Sequence, residues 1–431
     1  MRRFVSLGLA VVMAASLTAC GGGAKTESPA AEKTTEAQTT AKAEEAGKDA
    51  KAEETKAEEK KAEEKKAEES KASGSAEGGV IKIGGIGPVT GGAAVYGLAV
   101  QHGAELAVKE INEAGGINGM TVEFNFQDDE HDTEKAVNAY NTLKDWGMQM
   151  LMGTVTSNPC IAVAAKTKED NMFQLTPSRS AVECIQYDNA FRVCFSDPNQ
   201  GAASARYIGE NKLATKVAVI YDSSDVYSSG IFAKFSAEAS NQGIEVVAAE
   251  AFTADSKTDF TVQLQKAKDS GAELVFLPIY YTEASLILTQ ANTMGYAPAF
   301  FGCDGLDGIL NVENFDTKLA EGVMLLTPFA ADAEDEATKH FVTEFNAAYN
   351  ETPNQFAADA YDAIYAIKAA AEKAGVTADM NVSDMCEAMK KAMTEVSVDG
   401  VTGEGMTWTA DGEPSKAPKA VKIVDGVYSA M

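Results

Sequence analysis

The residues able to do covalent or metal chemistry are few and badly placed for it. Three histidines, His102, His131 and His340, stand far apart in the 431-residue chain. None lies in an HExxH or CxxC setting, which disfavours a zinc enzyme. The run Asp128-Asp129-Glu130-His131-Asp132 gathers carboxylates, but it lacks the glycine and glutamate positions of a calcium loop. The simpler reading is a strand-end loop that caps the next helix through Asp132. Gly85-Ile86-Gly87 follows an apolar run as a dinucleotide-binding turn would. Pro88 intrudes, however, and Thr90 stands where the third glycine belongs, so the fingerprint fails. Neither GxxxxGK[ST] nor GxSxG occurs. No nucleophile–base pair is identifiable and no cofactor is implied, which leaves an α/β enzyme without machinery.

Five cysteines follow Cys20: Cys160, Cys184, Cys194, Cys303 and Cys386. An odd number leaves at least one thiol free or pairing between chains. Cys184 and Cys194 bracket a loop, and the sequence leaves the pairing open.

The elements that must position these side chains alternate in type. Strand-like runs occupy Val80–Ile86, Thr121–Phe126, Met148–Met152, Met172–Thr176, Lys216–Tyr221, Glu245–Ala251, Glu273–Pro278 and Gly322–Leu326. Helix-like stretches separate them at Tyr96–Asn112, Asp132–Trp146, Pro159–Asp170, Ser228–Gln242, Phe260–Ser270 and Glu283–Met294. Such alternation argues for α/β architecture with parallel sheets. The stretch exceeds one comfortable sheet domain, so two similar α/β lobes are expected. Further on, Ala337–Ala348, Ala357–Ala374 and Val382–Ala392 read as helices. Gly403–Thr409 and Lys419–Tyr428 read as short antiparallel strands, the latter around an Asp425-Gly426 turn.

Lys and Arg number 37 against 64 Asp and Glu, a formal net charge of −27. Acidity of this size argues against nucleic acid, whose phosphates call for a basic face, and against docking on anionic lipid by charge. The excess lies after residue 79. The preceding stretch is nearly balanced, poor in large apolar side chains, and carries the repeat KAEETKAEEKKAEEKKAEES over Lys51–Ser70. It cannot bury a core and reads as a tether with partial helicity. Ahead of it, Arg2 and Arg3 precede a short apolar run from Phe4 to Leu17, a secretory pattern too short for a comfortable span. Leu17-Thr18-Ala19-Cys20 resembles the bacterial lipoprotein lipobox, which implies a signal peptide over 1–19 and a lipidated Cys20. The acyl chains would then anchor the protein to the membrane.

A family resemblance runs from Val80 to the C-terminus. Val80–Gly91 (VIKIGGIGPVTG), Tyr96-Gly97, Gly103–Ala107, Glu110–Gly119 and Gln127-Asp128-Asp129 are similar to the opening of bacterial leucine/isoleucine/valine-binding proteins. Leu175-Thr176-Pro177-Ser178, Val217–Asp222, Tyr280–Glu283, Gly302–Gly305 and Ala360–Ala363 continue the match in order. The resemblance implies a type I periplasmic-binding-protein fold, two doubly wound α/β lobes joined by a three-crossing hinge. Crossings are expected near Asp197-Pro198, Thr327-Pro328 and Val398-Asp399. That gives a first lobe of 80–198 plus 328–398 and a second of 199–327 plus 399–431, with the tether over 20–79.

The same resemblance implies an extracytoplasmic, non-enzymatic receptor for a branched-chain or related apolar amino acid. Its partners would be the permease subunits of an ABC importer, and its working unit a monomer. A ligand-sensing receptor coupled to a signalling membrane protein is the alternative. Residue by residue, Ser157, Ser178 and Ser180 match positions that hold the ligand carboxylate, Ser178 through its backbone. Tyr227 and Tyr280 match contacts from the second lobe, and Tyr96 and Phe356 match the side-chain pocket. Asp304 stands where relatives carry Glu, the counter-ion to the ligand ammonium. Asn158-Pro159-Cys160 and Arg179 depart from the family pattern. Arg179 is expected either to face solvent or to add a second carboxylate anchor.

Overall fold

The computed structural model describes residues 78–431. The expected signal peptide (1–19), the lipidation site Cys20 and the tether up to residue 77 lie outside the described residues.

Eight elements build the first sheet: β1 (Val80–Gly87), α1 (Ala94–Glu113), β2 (Thr121–Asp128), α2 (Thr133–Trp146), β3 (Met150–Gly153), α3 (Ser157–Asp170), β4 (Gln174–Thr176) and β5 (Ala190–Arg192). Its strands run parallel in the order β2-β1-β3-β4-β5. Ile81, Ile83, Met150, Leu151, Met152 and Leu175 are wholly buried, as expected for strands covered on both faces by crossover helices. The acidic run does what the simpler reading expected. Asp132 accepts the Lys135 N–H at 2.9 Å and caps α2, which ends at Gly147 in left-handed geometry.

The second sheet holds α4 (Asp197–Glu210), β6 (Lys216–Asp222), α5 (Val226–Ala239), β7 (Glu245–Phe252), α6 (Thr261–Asp269), β8 (Leu274–Leu277), α7 (Tyr281–Thr293), β9 (Ala299–Gly302) and β10 (Met324–Thr327). Three helices then return to the first sheet: α8 (Glu336–Tyr349), α9 (Gln355–Ala374) and α10 (Val382–Met393). Of these, α9 lies along α1 and reaches β3 and β4, and α10 packs on α9. The chain ends with β11 (Lys419–Val424) and β12 (Val427–Ala430), an antiparallel hairpin on β10. Its turn residues Asp425 and Gly426 both have positive φ, as a two-residue hairpin turn demands. The strand order is β12-β11-β10-β9-β8-β6-β7, parallel from β7 to β10. The fold is thus two parallel α/β layers, with the expected class and a longer second sheet.

Two expectations need correction. Residues 403–409 form no strand; Val398 and Met406 make a single bridge. The third crossing falls later than Val398-Asp399. The Val401 and Thr402 N–H groups both donate to Asp362 on α9 at 2.9 Å, and Trp408 Nε1 donates to the Arg192 carbonyl at 2.7 Å. Lys416 pairs with Asp359 at 2.6 Å, both side chains almost wholly buried. Buried polar partners therefore hold 401–416 to the first sheet, and the chain joins the second at Lys419.

Candidate functional site

A narrow cavity lies between the two sheets, at the carboxyl ends of their strands. All eight residues singled out in the sequence line it, although they come from seven separate segments. Ser157 opens α3; Ser178 and Ser180 follow β4; Tyr96 and Phe356 stand in the first turns of α1 and α9. From the second sheet, Tyr227 lies in the first turn of α5, Tyr280 precedes α7, and Asp304 follows β9. Strand ends and helix starts are where an open α/β sheet exposes side chains to a ligand.

The first wall presents hydrogen-bond donors. Helix α3 begins without a side-chain cap. Helices α2, α8, α9 and α10 are capped by Asp132, Asp335, Asn354 and Asn381. The hydroxyl of Thr156, which would cap α3, instead meets His131 Nδ1 at 2.8 Å. Thr156 and Ser157 line the cavity, so the start of α3 lies at its wall with the positive end of the helix dipole. The Ser178 hydroxyl is already used: it donates to the Val155 carbonyl at 3.2 Å and accepts from Arg179 Nη2 at 3.0 Å. Arg192 donates to the carbonyls of Arg179, Ser180 and Ala181 and pairs with Glu413 at 3.1 Å, fixing the serine loop from behind.

Arg179 takes neither of its expected positions. It is fully buried and does not line the cavity. Its Nη2 is held by the hydroxyls of Thr176 and Ser178, while Nε and Nη1 have no partner among the described residues. Asp129 lies within its field; burial pushes that carboxyl up to about 7, with Arg179 pulling it back. Burial also depresses His131 to about 4, so it is neutral near pH 7.

The second wall is acidic. Asp304 is 4% exposed and accepts from the Tyr227 hydroxyl at 2.7 Å. Its own N–H donates to Gln200 Oε1 at 3.1 Å. No lysine, arginine or histidine pairs with it among the described residues. Burial raises its carboxyl to about 7, against the pull of Tyr227 and Gln200. Nearby, burial raises Asp197 well above the ordinary carboxylate range and Asp225 to about 6.

Aromatic rings close the remainder. Tyr96 and Phe356 have centroids 4.5 Å apart, and Tyr227 stacks on Tyr280 at 4.9 Å. The Tyr96 hydroxyl reaches across to the Gly305 carbonyl and accepts the Tyr281 N–H at 3.1 Å, which links the two sheets at the cavity. Gly305 and Gln200 escaped the sequence reading. The glycine had a local signal in its place directly after Asp304. A β-carbon there would sit 2.5 Å from the Tyr227 hydroxyl, so only glycine lets that ring reach Asp304.

This geometry, a small cavity lined from two α/β sheets, is that of a solute receptor, and the comparisons with known proteins agree. Residues 80–426 match the periplasmic binding protein family. The chain is 32% identical over 301 residues to Leu/Ile/Val-binding protein homolog 3 of Brucella melitensis, covering 69% of this chain and 80% of that protein. It is 31% identical to the leucine-, isoleucine-, valine-, threonine-, and alanine-binding protein of Pseudomonas aeruginosa, covering 68% and 79%. The crystal structure of the branched-chain amino acid transporter substrate binding protein LivJ from Streptococcus pneumoniae, in complex with isoleucine, superposes with a TM-score of 0.74. The two are 30% identical, over 81% of this chain and 98% of that one. The chain belongs to the Leu/Ile/Val-binding group of periplasmic binding proteins. An ABC-transporter solute binding protein from R. palustris in complex with benzoate, 21% identical with a TM-score of 0.73, shares the fold alone. Among the described residues no helix is long and apolar enough to cross a membrane.

Proposed function

We propose that the cavity captures one free amino acid with an apolar or aromatic side chain, and that the chain hands it to the permease of an ABC importer. One observation carries this reading: a buried carboxylate without a cation faces an uncapped helix start across a small aromatic-lined cavity. That arrangement complements a zwitterion. The ammonium would meet Asp304, because a lone buried charge is costly unless paired. The carboxylate would take the first N–H groups of α3, the hydroxyls of Ser157 and Ser180, and the backbone of Ser178. Tyr96, Tyr227, Tyr280 and Phe356 would bury the side chain.

Because the wall residues come from both sheets, ligand would bridge them, and rotation about the three crossings would open and close the site. The receptor acts as a monomer, held to the membrane by lipid on Cys20, with residues 21–79 as spacer. Calorimetry with leucine, isoleucine, valine, phenylalanine, glutamate, benzoate and glucose tests the ligand class. Binding of the apolar amino acids is expected. Tighter binding of benzoate, glutamate or glucose would overturn it.

A further inference from the structure

Behind the serine wall, two thiols meet. Cys160 lies in α3, one turn after Ser157, and Cys184 in a short 3-10 turn (Val182–Ile185) that follows Ser180. Both are fully buried and form a small cluster with Ala181. Cys160 Sγ accepts from Gln174 Nε2 at 3.5 Å, and Cys184 Sγ sits 3.7 Å from the Ser157 carbonyl. The Cys184 thiol thus packs against the turn of α3 that carries Cys160. The Cys184–Cys194 loop suggested by sequence spacing is not what the fold brings together.

We propose that Cys160 and Cys184 are a redox pair that closes to a disulfide, stapling together the two segments that carry the cavity's serines. The chemistry favours Cys160 as the attacking sulfur. Its thiol is lowered by Cys184 and by the Arg179 guanidinium in spite of burial. Burial instead raises Cys194 and Cys303 far out of range and Cys386 to about 12. The oxidant is an external disulfide, RSSR. The Cys160 thiolate attacks one of its sulfurs, forming a mixed disulfide and expelling RS⁻, which takes a proton. Cys184 then loses its proton to solvent, and its sulfur displaces the second RS⁻ from Cys160. Two thiols and RSSR become one protein disulfide and two RSH. Val182 and Glu183 on the same turn are exposed, so local opening of this turn gives the reagent a way in.

The experiment treats the purified full-length chain with oxidised glutathione, unfolds it, alkylates free thiols and maps peptides by mass spectrometry. The expected product is one peptide pair joining Cys160 to Cys184, with Cys194, Cys303 and Cys386 all alkylated. Closing a loop of about twenty-five residues should raise Tm by roughly 4–8 °C, reversed by dithiothreitol. Cys160→Ala and Cys184→Ala should each lose that oxidation-dependent shift. Since the shift compares oxidised and reduced forms of one protein, a general destabilisation by either variant does not obscure it. Full alkylation of all five cysteines after Cys20, a persistent glutathione adduct on Cys160 or Cys184, or a bridge from either to another cysteine would overturn the proposal.

Discussion

The two walls of the cavity are electrical opposites. The first offers an uncapped helix start, hydroxyls, and behind them the unpaired guanidinium of Arg179, beside a neutral His131. The second offers Asp304 backed by Asp197 and Asp225, all held above their usual range by burial. Each wall alone is uncomfortable: the first buries a charge without a counter-ion, and the second holds protons on its carboxyls that an ionised site would release. A ligand with both charges relieves both walls. A ligand with one charge relieves one, and a neutral ligand neither. The contrast explains why the shared fold sets the cavity but not its occupant.

Removing the acidic wall should have the largest effect. Stripping one partner from a buried ion pair costs about 3–5 kcal/mol. Asp304→Ala should therefore weaken amino-acid binding by about 10² to 10³-fold in calorimetry, with the circular dichroism spectrum unchanged. Asp304→Glu restores the family's residue and should be milder. Near-native affinity in Asp304→Ala would mean that another group meets the ammonium.

Much of this wall was legible beforehand, because Tyr280, Asp304 and their neighbours stand in family blocks at strand ends. The parts that were not legible share a cause. Helix α4 carries no large apolar periodicity; it packs on α5 through small residues, so tightly that a β-carbon on Gly201 would fall 2.4 Å from the Ile231 carbonyl. Residues 401–416 were misassigned because Asp362, Asp359 and Arg192 hold them, and polar partners distant in sequence leave no periodic trace. The buried place of Arg179, neither in solvent nor in the cavity, went unread for the same reason.

The pH response is the next largest expected effect. The Asp304 carboxyl is raised to about 7 in the folded, ligand-free protein, against about 3.9 in an unfolded chain. The folded state therefore holds a proton that the unfolded state has released between roughly pH 4 and 7. Ligand-free stability should fall as pH rises through that window, by on the order of 4 kcal/mol from this group. The charge of Asp359 presses in the same direction, and Asp197, itself raised by burial, adds to the same trend. The ammonium favours ionised Asp304, so binding near pH 6 should release a proton. Affinity should drop as pH falls below about 7, approaching tenfold per unit. Calorimetry in buffers of different ionisation enthalpy measures the proton directly, and a dissociation constant flat from pH 5 to 8 would refute the assignment.

On the opposite wall, Ser157→Ala removes one hydroxyl from the ligand carboxylate and leaves the helix start in place. A hydrogen bond to a charged group contributes about 1.5–3 kcal/mol, so a loss of roughly tenfold or somewhat more in affinity is expected. An unchanged dissociation constant would leave the carboxylate to backbone N–H groups alone.

Arg179→Met should give the smallest change in binding and the most informative sign. The guanidinium touches no cavity space, yet it holds the Ser178 hydroxyl from behind. With an effective dielectric of about 20, its charge is worth on the order of 1–2 kcal/mol to a carboxylate bound beyond the Ser178 loop. Asp129 offsets part of that when ionised, so a loss of about three- to tenfold in affinity is expected. Stability should move the other way. An arginine with two unpartnered nitrogens is a buried charge that folding must desolvate, and a methionine, flexible and apolar though shorter, removes that cost. Ligand-free Tm should therefore hold or rise while affinity falls. If both fall together, Arg179 is a packing element of the β4 loop. If affinity holds while Tm rises, its charge does not reach the ligand, and the donor wall works through α3 and the serines alone.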